Sequence, residues 1–150
     1  MKRIASLLIL IFTIISCNPK TEVVEGDLYF QIIDFTNFHQ ATNDQLEELD
    51  KHIDSLRLSK MITEEDLEYI GFYDQVKKHN LLRKPLIRIK SDTLIRRIYL
   101  TESEFKKVKN YKWSDLGKRK KKVKIKIEIR ELDEDIYFSD KIIDYQEIEK

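Results

Sequence analysis

The clearest pattern in the chain is a strict alternation in which Val123, Ile125, Ile127 and Ile129 take turns with Lys122, Lys124, Lys126, Glu128 and Arg130. A period of two puts the apolar side chains on one face of a β-strand and the charges on the other. A turn at Asp133-Glu134-Asp135 and a further extended run, Ile136 to Ile148, continue this strand as an antiparallel meander. Upstream, after Pro85, Leu86 to Lys90 and Leu94 to Leu100 read as two strands flanking a Ser91-Asp92-Thr93 turn. Leu28 to Phe35 is rich in aromatic and β-branched residues and too short for a typical helix, so it reads as the first strand. Its apolar groups occupy both faces. A strand covered on two sides has that pattern, and so does a hydrophobic edge that receives a partner.

Between these runs the period changes to that of a helix. Thr42 with Gln45 forms a capping-box pattern ahead of Leu46, Leu49, Ile53 and Leu56. Thr63 with Asp66 forms a second, with Ile62 and Leu67 at hydrophobic-staple positions, and opens a helix running through Ile70, Tyr73 and Val76 toward Leu82. The short connection from Leu58 to Ile62 predicts an antiparallel helical hairpin. Thr101 with Glu104 gives a third capping pattern, with Leu100 and Phe105 as staple, and predicts a short helix over Ser103 to Tyr111. The order β, α, α, β, β, α, β, β predicts an α+β fold: an antiparallel sheet with the helical hairpin and the short third helix packed on one face.

The N-terminus obeys different rules. Lys2 and Arg3 precede an almost wholly apolar stretch from Ile4 to Ile15, followed by the small Ser16 and the only cysteine, Cys17. A charged segment, an apolar segment and a small residue form the layout of a secretory signal peptide. The apolar stretch falls well short of the ~20 residues a spanning helix needs, and polar Asn18-Pro19-Lys20 closes it. Ile14-Ile15-Ser16-Cys17 resembles the lipobox of bacterial lipoproteins, with Ile15 standing where small or hydroxyl residues are commoner. The resemblance covers about the first seventeen residues only. It implies that residues 1–16 are removed, that Cys17 carries diacylglycerol on its sulfur, and that the new amino group is acylated too. Two or three acyl chains hold a protein to a membrane almost permanently, since each buried methylene contributes about 0.8 kcal/mol. Asn18 is not the aspartate that retains many lipoproteins in the inner membrane of enteric bacteria, which implies the outer membrane. The expected organisation is then a removed signal peptide (1–16), a lipidated polar tether (17–26) and one α+β domain (27–150).

Composition narrows the function classes. Losing residues 1–16 removes Lys2 and Arg3 and no acid, taking the formal net charge from +1 to −1. That balance argues against a general nucleic-acid binder. The length suits one domain, and three glycines and two prolines argue against low complexity. With Cys17 alkylated the domain has no thiol nucleophile and no disulfide.

Candidate chemistry is sparse. His39, His52 and His79 share no metal-ligand spacing, HExxH, CxxC and GxSxG motifs are lacking, and so are nucleotide-binding glycine loops. No cofactor is predicted. Asp133-Glu134-Asp135 lacks the alternating ligands and glycine of a calcium loop and reads as a solvated turn. The strongest charge feature is Lys118, Arg119, Lys120, Lys121 and Lys122, continued by Lys124 and Lys126. It has two readings: a contact for anionic lipid, glycan or an acidic protein of the envelope, or a basic turn whose lysines protect a sheet from association. Tyr111 and Trp113 beside it offer either a contact surface or the core of a loop. The expected function is that of a membrane-anchored envelope lipoprotein acting as a small binding or accessory protein, an inhibitor or immunity protein being one version. An envelope enzyme with a dispersed site is the alternative, and it requires one of the histidines to meet several carboxylates.

Overall fold

The computed structural model describes residues 20–29, 38–92, 94–111, 116 and 121–148. The expected signal peptide and Cys17, residues 30–35 of the expected first strand, Trp113 and Lys118 to Lys120 lie outside them.

The alternating run is strand β4 (Lys122–Asp133), and Val123, Ile125, Ile127 and Ile129 are all buried. It pairs antiparallel with β5 (Ile136–Ile148) through the expected turn, where Asp135 adopts a positive φ of 57°. Strands β2 (Leu86–Ser91) and β3 (Leu94–Leu100) form the predicted hairpin, but Ser91 pairs with Leu94, so the connection is two residues long rather than three. Asp92 carries the positive φ, 50°, that such tight turns require.

The first strand begins earlier than expected. β1 spans Thr21–Tyr29 and shares only Leu28 and Tyr29 with the expected run. Most of the expected tether is therefore sheet: Thr21 to Asp27 pair with Arg130 to Lys124 of β4, and Asp27 to Tyr29 pair with Lys90 to Arg88 of β2. Being bonded on both sides, β1 closes the sheet into a barrel with the order β1-β2-β3-β5-β4. The expected antiparallel sheet is corrected at one pair, because β3 and β5 run parallel, Ile98 to Leu100 against Tyr137 to Ser139. With β4 returning beside β1, the order 4-1-2-3 is a Greek key, and the five-stranded Greek-key barrel is the architecture of OB folds. The class is α+β.

The barrel is filled by its own side chains. Val24 and Leu28 of β1, Ile87 and Ile89 of β2, Ile98 and Leu100 of β3, the four apolar residues of β4 and Ile142 of β5 make one buried cluster. Helix α3 (Glu102–Val108) plugs one end with Val108 and Phe105, stopping short of the expected Tyr111.

Helices α1 (Asn43–Leu58) and α2 (Glu64–Lys78) begin at complete capping boxes on Thr42 and Thr63. They run antiparallel, Asp50 meeting Lys77 and Arg57 meeting Asp74. Ile53, Ile70 and Tyr73 are the buried centre between them. Leu67 is more than half exposed, so the second staple position does not serve as one. The α2 helix ends at Lys78 rather than near Leu82, because Asn80 turns into the left-handed region at φ 55°. Val76 and Phe72 of α2, with Leu81 and Leu82 beyond it, then cover Leu86, Tyr99, Ile136, Leu132 and Phe138 on the barrel. The helices thus take two positions, one on the outer wall and one at the end, instead of a single sheet face.

Candidate functional site

The basic run does not present a free stripe of positive charge where it is described. Lys122 and Lys124 both reach Asp27, at 3.2 and 3.0 Å, and Lys121 reaches Glu147 at 2.9 Å. Lys126 stands in register between Glu25 of β1 and Asp144 of β5. The carboxyl of Asp27 feels burial, which raises its pKa, but the two ammonium groups outweigh it and hold the group below its usual range. The cross-strand charges thus alternate in sign across β1, β4 and β5.

The three histidines sit apart. His39 bonds Glu102 at 2.6 Å and packs edge-on against Phe105, docking the segment before α1 onto α3. His79 caps α2 and lies 3.4 Å from Asp133. His52 is exposed on α1 beside a surface groove. Among the described residues no group of three His, Cys, Asp or Glu could hold a metal ion. The acidic turn has structural work: Asp133 accepts from Lys78 at 2.8 Å and from the Glu134 N–H at 3.1 Å, which with His79 holds its carboxyl down at about 2.

Among the described residues, three arginines gather where β3 runs past β5. The β3–β5 pairing covers only Ile98 to Leu100, and beyond it Arg88, Arg96 and Arg97 line a recess of about 200 Å³ with Leu94, Ile95, Tyr137 and Asp135. Hairpin register puts Arg88 opposite Arg97 on one face of the sheet, and Arg96 opposite the core residue Ile89 on the other. Arg88 is only 4 % exposed and already engaged in a contact of its own, so it forms wall. Arg97 stacks over Phe72 of α2 at 5.3 Å. Arg96 lies over the Tyr137 ring at 6.0 Å, donates from Nη1 to Ser91 Oγ at 3.3 Å, and has Nη2 3.6 Å from Glu22. Its Nε is buried without a hydrogen-bond partner. Arg96 and Arg97 each hold a planar fork over an aromatic face, one on either side of β3.

Tyr137 also borders a larger groove of about 710 Å³, whose polar walls include Lys20, Glu22, Glu131, Asp133 and Glu134. The recess and this mixed-charge groove meet at Tyr137. Reading the chain residue by residue misses this pair. The signal that finds it is hairpin register: a two-residue turn places Arg88 opposite Arg97, whereas the three-residue turn expected from sequence opposes Arg88 to Arg96. The chain matches no protein family, no curated protein and no solved structure.

Proposed function

We propose that this chain is an exported, lipid-anchored binding protein of the bacterial cell envelope, held to the outer membrane through acyl chains on Cys17. Its barrel recognises an envelope component through its outer surface, since the interior is occupied by its own side chains. The observation that carries the recognition half of this reading is the arginine recess at the end of β3, where Arg96 Nε is buried and lacks a partner. The anchoring half rests on the lipobox resemblance at Ile14 to Cys17.

Labelling with radioactive palmitate in a bacterial host tests the anchor. The wild-type chain takes up label and partitions with membranes, and Cys17→Ala takes up none. Equal labelling of the variant would overturn the reading. Crosslinking in intact cells, with Arg96→Ala as the comparison, then tests recognition: the expected result is an adduct lost in the variant.

A further inference from the structure

The barrel is closed over only part of β5. Strand β3 covers its edge from Tyr137 to Ser139, the Thr101 N–H donates to the Ser139 carbonyl at 3.3 Å, and the Glu104 carboxylate accepts from the Ile142 N–H. From Asp144 to Ile148 β5 is paired with β4 alone, and among the described residues no strand, turn or cap takes up its opposite edge. Every second residue of an antiparallel strand turns its N–H and C=O away from the partner strand, so this run presents an unused ladder. The side chains carry the same mark. Tyr145 pairs with Ile125 and shares its core-facing side, yet Ile125 is 1 % exposed and Tyr145 is 41 % exposed. Ile143 and Ile148 on the same run are exposed as well.

We propose that this edge binds an extended segment of another protein by strand addition, and that the segment alternates lysine or arginine with aliphatic residues. Strand β4 shows what β5 accepts: on the paired side it sets Ile125 beside Tyr145, and Lys126 and Lys124 beside Asp144 and Gln146. A strand on the open side meets the same two faces, with an apolar residue beside Tyr145 and a cation beside Asp144. The ladder supplies affinity and the alternate side chains supply selectivity. From Asp140 to Ile148 three acids, Asp140, Asp144 and Glu147, stand against one base, Lys141, which reaches Glu128 at 3.5 Å. Two copies of β5 laid edge to edge would bring an excess of acid against an excess of acid, so the charge favours a basic segment over a second copy of this chain.

The test uses the full-length chain in a non-ionic detergent, titrated with the capped peptide Lys-Val-Lys-Ile-Lys-Ile, a copy of residues 122–127, while amide signals are followed by NMR. Saturable shifts should appear at residues 143–148 and not at Ile95 or Arg97 of the recess, and exchange of every second amide in that run should slow by about tenfold or more. The same peptide methylated at every backbone nitrogen keeps its side chains and loses its donors, and it should bind about tenfold more weakly or worse. Asp144→Lys, on an exposed side chain, should weaken the lysine peptide several-fold and admit Glu-Val-Glu-Ile-Glu-Ile, which the wild type refuses. Equal binding of the methylated peptide would overturn strand addition, and equal binding of the glutamate peptide would overturn the charge rule. Absence of shifts at residues 143–148 would overturn the site. Sedimentation velocity without peptide should find a monomer; a dimer with its protected amides at residues 143–148 would give the edge to a second copy and overturn the partner proposed.

Discussion

The carboxylate of Glu104 accepts a hydrogen bond from the backbone N–H of Ile142 at 2.6 Å, joining α3 to β5 across 38 residues of chain. Ile142 stands where β5 slips against β4: Lys126 pairs with Asp144 and Ile127 with Ile142, leaving Ile143 as the extra residue of a bulge. The sequence pattern Thr101-x-x-Glu104 promises a capping box, and half of it forms, with Thr101 Oγ1 accepting from the Glu104 N–H at 3.4 Å. The other half is diverted, because the Glu104 side chain serves Ile142 and Lys107.

Glu104→Ala should therefore cost more than a cap. It leaves a buried N–H with no acceptor and removes a charge-assisted bond, together about 2–3 kcal/mol, readable by urea denaturation. Burial raises the Glu104 pKa, but Lys107 and the Ile142 N–H overcome this and hold it below the ordinary value. A depressed carboxyl stabilises the fold above the unfolded pKa, ~4.3, and loses that contribution as pH falls through the folded value. The stability gap between wild type and variant should shrink below about pH 4. A gap constant from pH 7 to pH 3 would contradict the assignment.

Asp133 fastens the C-terminal end of α2 to the β4–β5 turn through Lys78 and His79. Lys78, the Glu134 N–H and His79 bring its carboxyl to about 2. Its contribution is complete above the usual aspartate range and is lost only as pH falls toward 2. Side-chain NMR titration should find Asp133 as a low outlier, and Lys78→Ala should move it upward. Asp133→Asn should increase hydrogen exchange at the end of α2 more than inside the barrel.

Two glycines make opposite predictions. A Cβ on Gly26 would meet the Lys90 carbonyl oxygen at 2.6 Å and Ile89 Cγ2 at 2.7 Å, because β1 approaches β2 closely as the barrel closes. Gly26→Ala should destabilise by about 2 kcal/mol or more, since backbone must move. Gly71, in α2, has nothing within 4 Å of a built Cβ, so Gly71→Ala should stabilise by about 0.5–1 kcal/mol. Thermal denaturation of the pair reads both signs, and a tolerated Gly26→Ala would argue against the tight closure of β1.

Gly26 also explains why β1 was hard to read. Its inward positions are Val24, Gly26 and Leu28, so the glycine erases the middle of the alternation and hides the first half of the strand. Local signals were legible where the residues concerned are close in sequence: the threonine caps of α1, α2 and α3, the alternation of β4, and the turn at Asp133. Barrel closure, the parallel β3–β5 pair and the arginine recess depend on pairings between distant segments, which no local pattern encodes. The recess additionally depends on turn length, since one residue more at Asp92 changes which arginine faces which.

The helical hairpin should open without the barrel. Its centre, Ile53, Ile70 and Tyr73, is a cluster separate from the barrel core, and Val76, Phe72, Leu81 and Leu82 make the connection to the outer wall. Ile53 is 1 % exposed, so Ile53→Ala removes buried methylenes and leaves a cavity, a cost of about 2–4 kcal/mol. Because Ile53 touches the hairpin cluster rather than the strands, that loss should fall on a local opening equilibrium. Amide exchange in α1 and α2 should accelerate by about one and a half to three orders of magnitude, at ~1.4 kcal/mol per tenfold, while Ile87, Ile98 and Ile127 keep most of their protection. Equal acceleration in the strands would show that the domain opens as one unit, and Ile127→Ala, which strikes the barrel core itself, supplies the comparison in which every amide should change together.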